Sequence, residues 1–162
     1  SKIRSITTKR IDIMNKEKLT ELYHKYQLEK DHFFTKEIGN KSFTIITREG
    51  IEKIEAKEKI EVKYESIKSE PNFAVIQAFG KFNGKSMQTF GSALKGANYK
   101  DGNTNTWYVT EIAEKRALSR IVLKLTGFYA LGIKGEDESD SFKKPEIKKT
   151  TKEELLTKIK KQ

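Results

Sequence analysis

Cysteine is absent from all 162 residues. Disulfides and thiolate metal sites are therefore excluded, and a reducing compartment suits the chain. Histidine occurs twice, at His24 and His32, with no carboxylate ligand pattern around either, so no zinc site is expected. No apolar run approaches the ~20 residues of a membrane span. The opening SKIRSITTKR holds no apolar signal core. Gly80, Gly84, Gly91 and Gly96 match neither a phosphate-binding loop nor a dinucleotide fingerprint. An ATP-driven helicase or recombinase is thus not expected, nor any cofactor, metal or membrane partner. The expected location is the cytoplasm.

What the chain has is positive charge. Lys and Arg number 33 against 23 Asp and Glu, a formal net charge of +10 and a pI near 9.6. Such a chain is drawn to polyanions. Hydrophobic residues make up 35% and charged residues another 35%, a thin core for one domain of this length. One compact region with solvated ends is expected, or burial completed by further subunits.

The pattern predicts an α+β fold. Residues 1–14 are basic with scattered isoleucines and suit an arm or short strand. Asn15 to about Glu29 reads as a helix with one apolar stripe, Leu19, Leu22, Tyr23 and Tyr26. Ser42–Thr47 reads as a strand, and Ile51 and Ile54 suit a short helix face. Ile60–Tyr64 alternates apolar and charged residues, the signature of a strand with one wet face. Phe73–Phe82 reads as a central strand, apolar on both faces. Asn83-Gly84 is a two-residue hairpin turn, and Lys85–Gly91 returns antiparallel. A glycine-rich connector, 91–105, leads to a long helix from Trp107 to Phe128, capped at its start by Asn105 or Thr106 and stopped by Gly127. The whole is a β-meander of three or more strands packed on that helix, a β-β-β-α core with an N-terminal helix. Residues 1–142 form one nucleic-acid-binding domain (core 43–142). Residues 143–162, with eight Lys and three Glu, form a flexible or partner-dependent tail.

On the long helix Leu118, Ile121, Val122 and Leu125 make the apolar side. Arg116, Arg120 and Lys124 recur at i, i+4 and i+8, a cationic ladder suited to a phosphate backbone. Glu136–Asp140 forms an acidic cluster that suits a solvated loop better than the separated carboxylates of a Mg²⁺ nuclease, so no enzyme activity is expected. If the ladder does not meet phosphate, an ion pair with Glu114 or with this cluster is its alternative role. Aromatics interleave with lysines around the hairpin and the helix start, the pattern that grips single strands by phosphate contacts and base stacking. Phe79 and Phe90 are read as core, Tyr99 as exposed in its loop, and Trp107 as intermediate.

The run AEKRALSRIVLKLTGFYALGIKGEDESD, Ala113 to Asp140, resembles phage-type single-strand annealing proteins of the Erf/Sak kind. Ala113, Glu114, Arg116, Ala117, Arg120 and Val122 match their basic helix, and the order of strands and helix is similar from about Phe43 to Phe142. The resemblance implies an ATP-independent binder of single-stranded DNA, or of RNA, that assembles into a ring or filament and promotes annealing of complementary strands in recombination or repair; a phage origin would place it in the bacterial cytoplasm. The expected nucleic-acid-binding residues are Arg116, Arg120 and Lys124 on the helix, Lys81 and Lys85 on the hairpin, and Lys95, Tyr99, Lys100 and Trp107 around the connector. Two readings compete with annealing: a non-annealing accessory replication protein, and a phage module that inhibits or captures a protein partner.

Overall fold

The computed structural model describes residues 2–98, 100–139 and 147–149. Three helices and seven strands appear among them, with short 3₁₀ turns between. Helix α1 spans Lys2–Lys25, followed by the hairpin β1 (Phe33–Ile38) and β2 (Lys41–Ile46), then α2 (Arg48–Glu58). The meander follows as β3 (Glu61–Glu70), β4 (Phe73–Phe82) and β5 (Lys85–Leu94). Helix α3 runs Val109–Thr126, and two short strands, β6 (Ile133–Gly135) and β7 (Ile147–Lys149), complete the order.

Two sheets result. One is the antiparallel meander β3-β4-β5; the other has the order β6-β2-β1-β7, with β6 parallel to β2. The α+β class, the three-stranded meander on a long helix and the N-terminal helix are as expected. Asn83 and Gly84 both take positive φ, 50° and 77°, as a tight primed turn requires. Strand β4 is central, and both its neighbours extend beyond their expected ends, to Glu70 and Leu94.

Two boundaries are corrected. Residues 2–14 are helical rather than an arm: no Pro or Gly interrupts Lys2–Lys25, so the helix runs on through them. It stops at Lys25 because Gln27 turns left-handed, φ 51°. The amides of Gln27 and Leu28 then close on the carbonyls of His24 and Tyr23, the 5→2 and 6→1 pair of a Schellman motif. Within the Lys-rich segment 143–162, Ile147–Lys149 pairs antiparallel with β1. The remainder of that segment lies outside the described residues.

Helix α3 is the hub. Its N-cap is Tyr108, two residues inside the expected start; Thr106 Oγ1 instead accepts the Tyr108 amide at 3.1 Å. Gly127 ends it at φ 91°. Ile121, Val122 and Leu125 are buried as expected, but so are Val109, Ile112, Ala113, Arg116, Ala117 and Ser119. The meander covers one side of α3; α2, β6 and the turn after β6 cover much of the rest. The core continues into Tyr26, Phe33, Ile46, Ile51, Ile54 and Phe128, with the Tyr26 and Phe128 rings 5.9 Å apart.

The helix backbone lies directly on β5. A Cβ at Gly91 would meet the Ala113 carbonyl oxygen at 2.0 Å and the Ala117 nitrogen at 2.6 Å. Beside it, Thr89 Oγ1 donates to the Ala117 carbonyl at 2.9 Å. At Gly80 the neighbours are instead the side-chain ends of Ile121 and Leu125, at 2.5 and 2.8 Å. Those ends can rotate away; a helix backbone cannot. Gly91→Ala is expected to cost at least the ~3 kcal/mol upper end of ordinary overpacking, and Gly80→Ala about 1 kcal/mol. Urea unfolding of both variants measures the gap.

Where α1 meets α2, the buried Tyr26 hydroxyl bonds the Glu58 carboxylate, and Lys25 Nζ lies 3.1 Å from Glu58. Burial pushes the Tyr26 phenol well up from 10.0, and the bond to Glu58 and its charge add to the rise. Burial alone would raise Glu58, but the Tyr26 hydroxyl and Lys25 outweigh it and hold the carboxyl below 4.5. Tyr26 therefore contributes stability that is full below pH 10.0 and is lost as pH climbs through its raised value. Glu58 contributes stability that is present above pH 4.5 and is lost as pH falls through its lowered value. Tyr26→Phe should cost about 1.5–3 kcal/mol at neutral pH, and the gap to the wild type should shrink above pH 10 and below pH 4.5 in chemical unfolding.

Candidate nucleic-acid interface

The meander has one covered and one open face. The rows on the α3 side are Val62–Gly80–Met87, Tyr64–Ala78–Thr89, Ser66–Ile76–Gly91 and Ser69–Ala74–Ala93. The rows on the other side are Glu61–Lys81–Ser86, Lys63–Phe79–Gln88, Glu65–Gln77–Phe90, Lys68–Val75–Ser92 and Glu70–Phe73–Leu94. On β4 the alternation is sharp: Ala74, Ile76, Ala78 and Gly80 are buried, while Phe73, Val75, Gln77, Phe79 and Lys81 are not.

Phe79 and Phe90 therefore lie outside the core, 38% and 46% exposed. They sit diagonally on β4 and β5, since Phe79 faces Gln88 and Phe90 is two residues further on. Such diagonal neighbours are about 7–8 Å apart. Between them Gln77 Nε2 donates to Gln88 Oε1 at 2.8 Å, a bond that uses neither the Gln77 amide oxygen nor the Gln88 amide nitrogen. Lys63 and Lys81 flank Phe79. At the hairpin end Glu61, Lys63, Phe79, Lys81, Ser86, Met87 and Gln88 line an open depression of about 550 Å³. At the far end Lys68 Nζ stands 5.7 Å from the Phe73 ring centroid.

The cationic ladder of α3 does not form one exposed row. Arg116 is only 5% exposed. Its Nε donates to the Asp137 carbonyl at 3.0 Å, its Nη1 to the Ser92 carbonyl at 2.8 Å and its Nη2 to the Asn103 carbonyl at 3.1 Å. The planar fork is consumed by three main-chain oxygens from three separate segments. Arg120 Nε pairs with Glu138 Oε1 at 3.0 Å and its Nη1 bonds the Phe90 carbonyl at 2.8 Å. Lys124 is exposed, 5.2 Å from the Tyr129 ring centroid. All three stand on the helix side of the sheet, away from the open face.

The acidic cluster is used in the same docking. Glu136 Oε1 accepts the Arg48 amide at 2.6 Å, at the first turn of α2. Asp137, 8% exposed, accepts from Ser119 Oγ at 2.9 Å and lies 3.7 Å from Arg48 Nη1. Thus the alternative role for the ladder, an ion pair with this cluster, describes Arg120. Among the described residues no group of three or more His, Asp or Glu is placed to hold a metal ion.

The other expected residues divide into separate groups. Lys81 is exposed on the open face, and Lys85, opposite Phe82, is exposed at the hairpin end. At the opposite end of the meander Lys95 Nζ stacks 3.8 Å from the Trp107 ring centroid. Trp107 is 68% exposed and Tyr108 71%, so neither pins the helix to the sheet. Lys100 is exposed in the same connector; Tyr99 lies outside the described residues. The residues of the open face that sequence reasoning did not select are Phe79, Phe90 and Lys63. Their signal was available: FAVIQAFGKF puts Gln77 and Lys81 on the same alternate row as Phe79, which marks that row as wet. Among the described residues no helix is long and apolar enough to cross a membrane.

Compared with known proteins, the chain matches no family model, no curated protein and no solved structure.

Substitution separates the two arginines. Arg116→Ala leaves three carbonyls without their donor and should cost about 3 kcal/mol or more, at ~1–3 kcal/mol for each unsatisfied buried group. Arg120→Ala, at a partly exposed pair, should cost within about 1 kcal/mol. Thermal unfolding of both variants reads the difference.

Proposed function

We propose that this protein binds single-stranded nucleic acid, without ATP, on the open face of the meander, and that it promotes annealing of complementary strands. The observation that carries the reading is the diagonal pair Phe79 and Phe90, half-exposed on a rigid sheet and flanked by Lys63 and Lys81. Aromatic rings on a firm platform accept any base, because every base has a stacking face. Lysines beside them meet the phosphates as point charges. The carboxylates Glu61, Glu65 and Glu70 lie on the β3 side of this face, so the favoured path for a strand runs over β4 and β5.

Annealing itself is supported by the resemblance of residues 113–140 to phage-type annealing proteins and by the chemistry of the platform. Bases stacked on one side keep their pairing edges available to a second strand. The exposed Trp107, with Lys95 over its ring, offers a further stacking position beyond the far end of the meander. Self-association belongs to the same reading.

The test is fluorescence anisotropy with labelled single-stranded and duplex oligonucleotides across a salt series. Phe79→Ala and Phe90→Ala should each weaken single-strand binding about tenfold, given ~1–3 kcal/mol per stacked base. Lys63→Ala with Lys81→Ala should make the salt dependence shallower, by about 0.7 in log–log slope per lost phosphate contact. Arg120→Ala should leave binding near the wild-type value. Unchanged affinity in Phe79→Ala/Phe90→Ala, with the melting temperature preserved, would remove this face as the site. A strand-pairing assay then separates an annealing protein from a binder that does not anneal.

A further inference from the structure

The two edges of the meander are treated differently. On β5 three of the outward carbonyls are occupied, all in the half away from the hairpin: Phe90 by Arg120, Ser92 by Arg116, and Leu94 by the amides of Asn103 and Thr104. The Leu94 amide is taken by Asn103 Oδ1 at 2.7 Å. On β3 the situation is the reverse. The bond from the Lys95 amide to the Asn72 carbonyl sets the phase of the ladder, so even-numbered residues of β4 turn toward β5 and odd-numbered ones toward β3. Glu61, Lys63 and Glu65 of β3 therefore face β4, and the main-chain groups of Val62, Tyr64 and Ser66 point outward. Among the described residues no hydrogen bond reaches the outward groups of these three. Every residue of β3 except Val62 is exposed, including Tyr64 at 41% and Ile67 at 52%. Helix α3 lies mainly over β4 and β5.

The side chains choose the partner. On its open face β3 alternates Glu61, Lys63, Glu65, so it is complementary to itself when antiparallel and shifted by two. A bulge between Ser66 and Lys68 ends the regular stretch. A register centred on Val62 would need Ile60, which is buried and whose amide is bonded to Glu55. One centred on Ser66 would run across the bulge and mismatch the faces. The register centred on Tyr64 has neither fault. It pairs Val62 with Ser66 of a second copy, Tyr64 with Tyr64, and Lys63 with Glu65 twice. The Lys63–Glu65 pairs fall at the narrow positions, where side chains approach most closely.

We propose that β3 pairs antiparallel with β3 of a second copy of this chain, in the register centred on Tyr64, to form a continuous six-stranded sheet with both open faces on one side. The interface is isologous, so it closes at two copies. It is short, which places the association in the weak class. It deepens the self-association of the proposed function, and because it is tested with no nucleic acid present, its failure and the failure of the nucleic-acid reading are distinguishable.

The absence of cysteine makes the test clean, since a single introduced thiol can link only to another copy. At Tyr64 the two copies' Cα atoms would stand about 5.5 Å apart, within disulfide reach. At Val62 they would be separated by four residues along the strand, about 13 Å or more. Under mild oxidation Tyr64→Cys should give a disulfide-linked dimer in high yield and Val62→Cys little. Light scattering of the wild type should climb from 18.7 kDa toward twice that value with concentration. Lys63→Glu or Glu65→Lys should hold the mass at that of one chain, and the double exchange should restore the rise. A wild type that stays a single chain throughout the series, equal yields from the two cysteine variants, or a double exchange that fails to restore association would each overturn the proposal.

Discussion

The direct seating of α3 on β5 is the constraint on which the rest depends. With no side chain at Gly91, the helix backbone at Ala113 and Ala117 lies against the strand, and Thr89 bonds the Ala117 carbonyl across the seam. At that separation the helix flank beside β5 cannot carry long side chains into solvent. Whatever stands there must be small, as Ala113 and Ala117 are, or must reach along the strand edge, as Arg116 and Arg120 do. The arginines take up two of the outward carbonyls that this edge strand presents, and Arg116 also ties down the connector at Asn103 and the turn at Asp137. One close contact thus decides the helix position, the edge treatment of β5 and the docking of the acidic turn.

The cluster Glu136–Glu138 extends the same logic across the core. Glu136 satisfies an amide in the first turn of α2, Asp137 bridges Ser119 toward Arg48, and Glu138 meets Arg120. The turn thereby joins α2, α3 and, through β6, the second sheet. Carboxylates near a helix N-terminus are favourable there, and these carboxylates make contacts that join separate elements.

Local chemistry was legible in the sequence, and long-range partnership was not. The Asn-Gly hairpin, the central position of β4, the short helix around Ile51 and the stop at Gly127 each follow from the geometry that a few adjacent residues permit. The meander on the helix was legible because period-2 and period-3.6 patterns abut there. The fate of Arg116 was not legible. An i, i+4, i+8 row of cations has the same spacing whether it faces water or faces carbonyls supplied by residues 92, 103 and 137, and only the tertiary fold brings those three to one place. The reverse error befell Phe79 and Phe90. An apolar side chain on a central strand carries no label for which sheet face is covered, yet the polar members of its own row, Gln77 and Lys81, do carry it.

A net charge of +10 describes the chain and not its surface. On α3 and the meander arginine and lysine have parted along the lines of their chemistry, although Lys36 of β1 is itself buried, 4% exposed. A guanidinium presents several donors in a fixed plane and is weakly hydrated, so it can be enclosed and matched to carbonyls; an ammonium on a flexible stem keeps its hydration and stays outside. Here the buried cation of α3 is an arginine, and the cations that remain presented on and around the meander (Lys63, Lys81, Lys85, Lys95) are lysines. Attraction to a polyanion therefore falls to groups that act as point charges without bidentate geometry. Such groups fix neither base identity nor a rigid phosphate register. Specific geometry must come from the rigid part of the surface, the two rings and the paired glutamines on the open face. On the proposed reading, a sheet that would hold a strand by stacking and loose charge, with directional hydrogen bonding confined to one amide pair, is suited to sequence-tolerant binding.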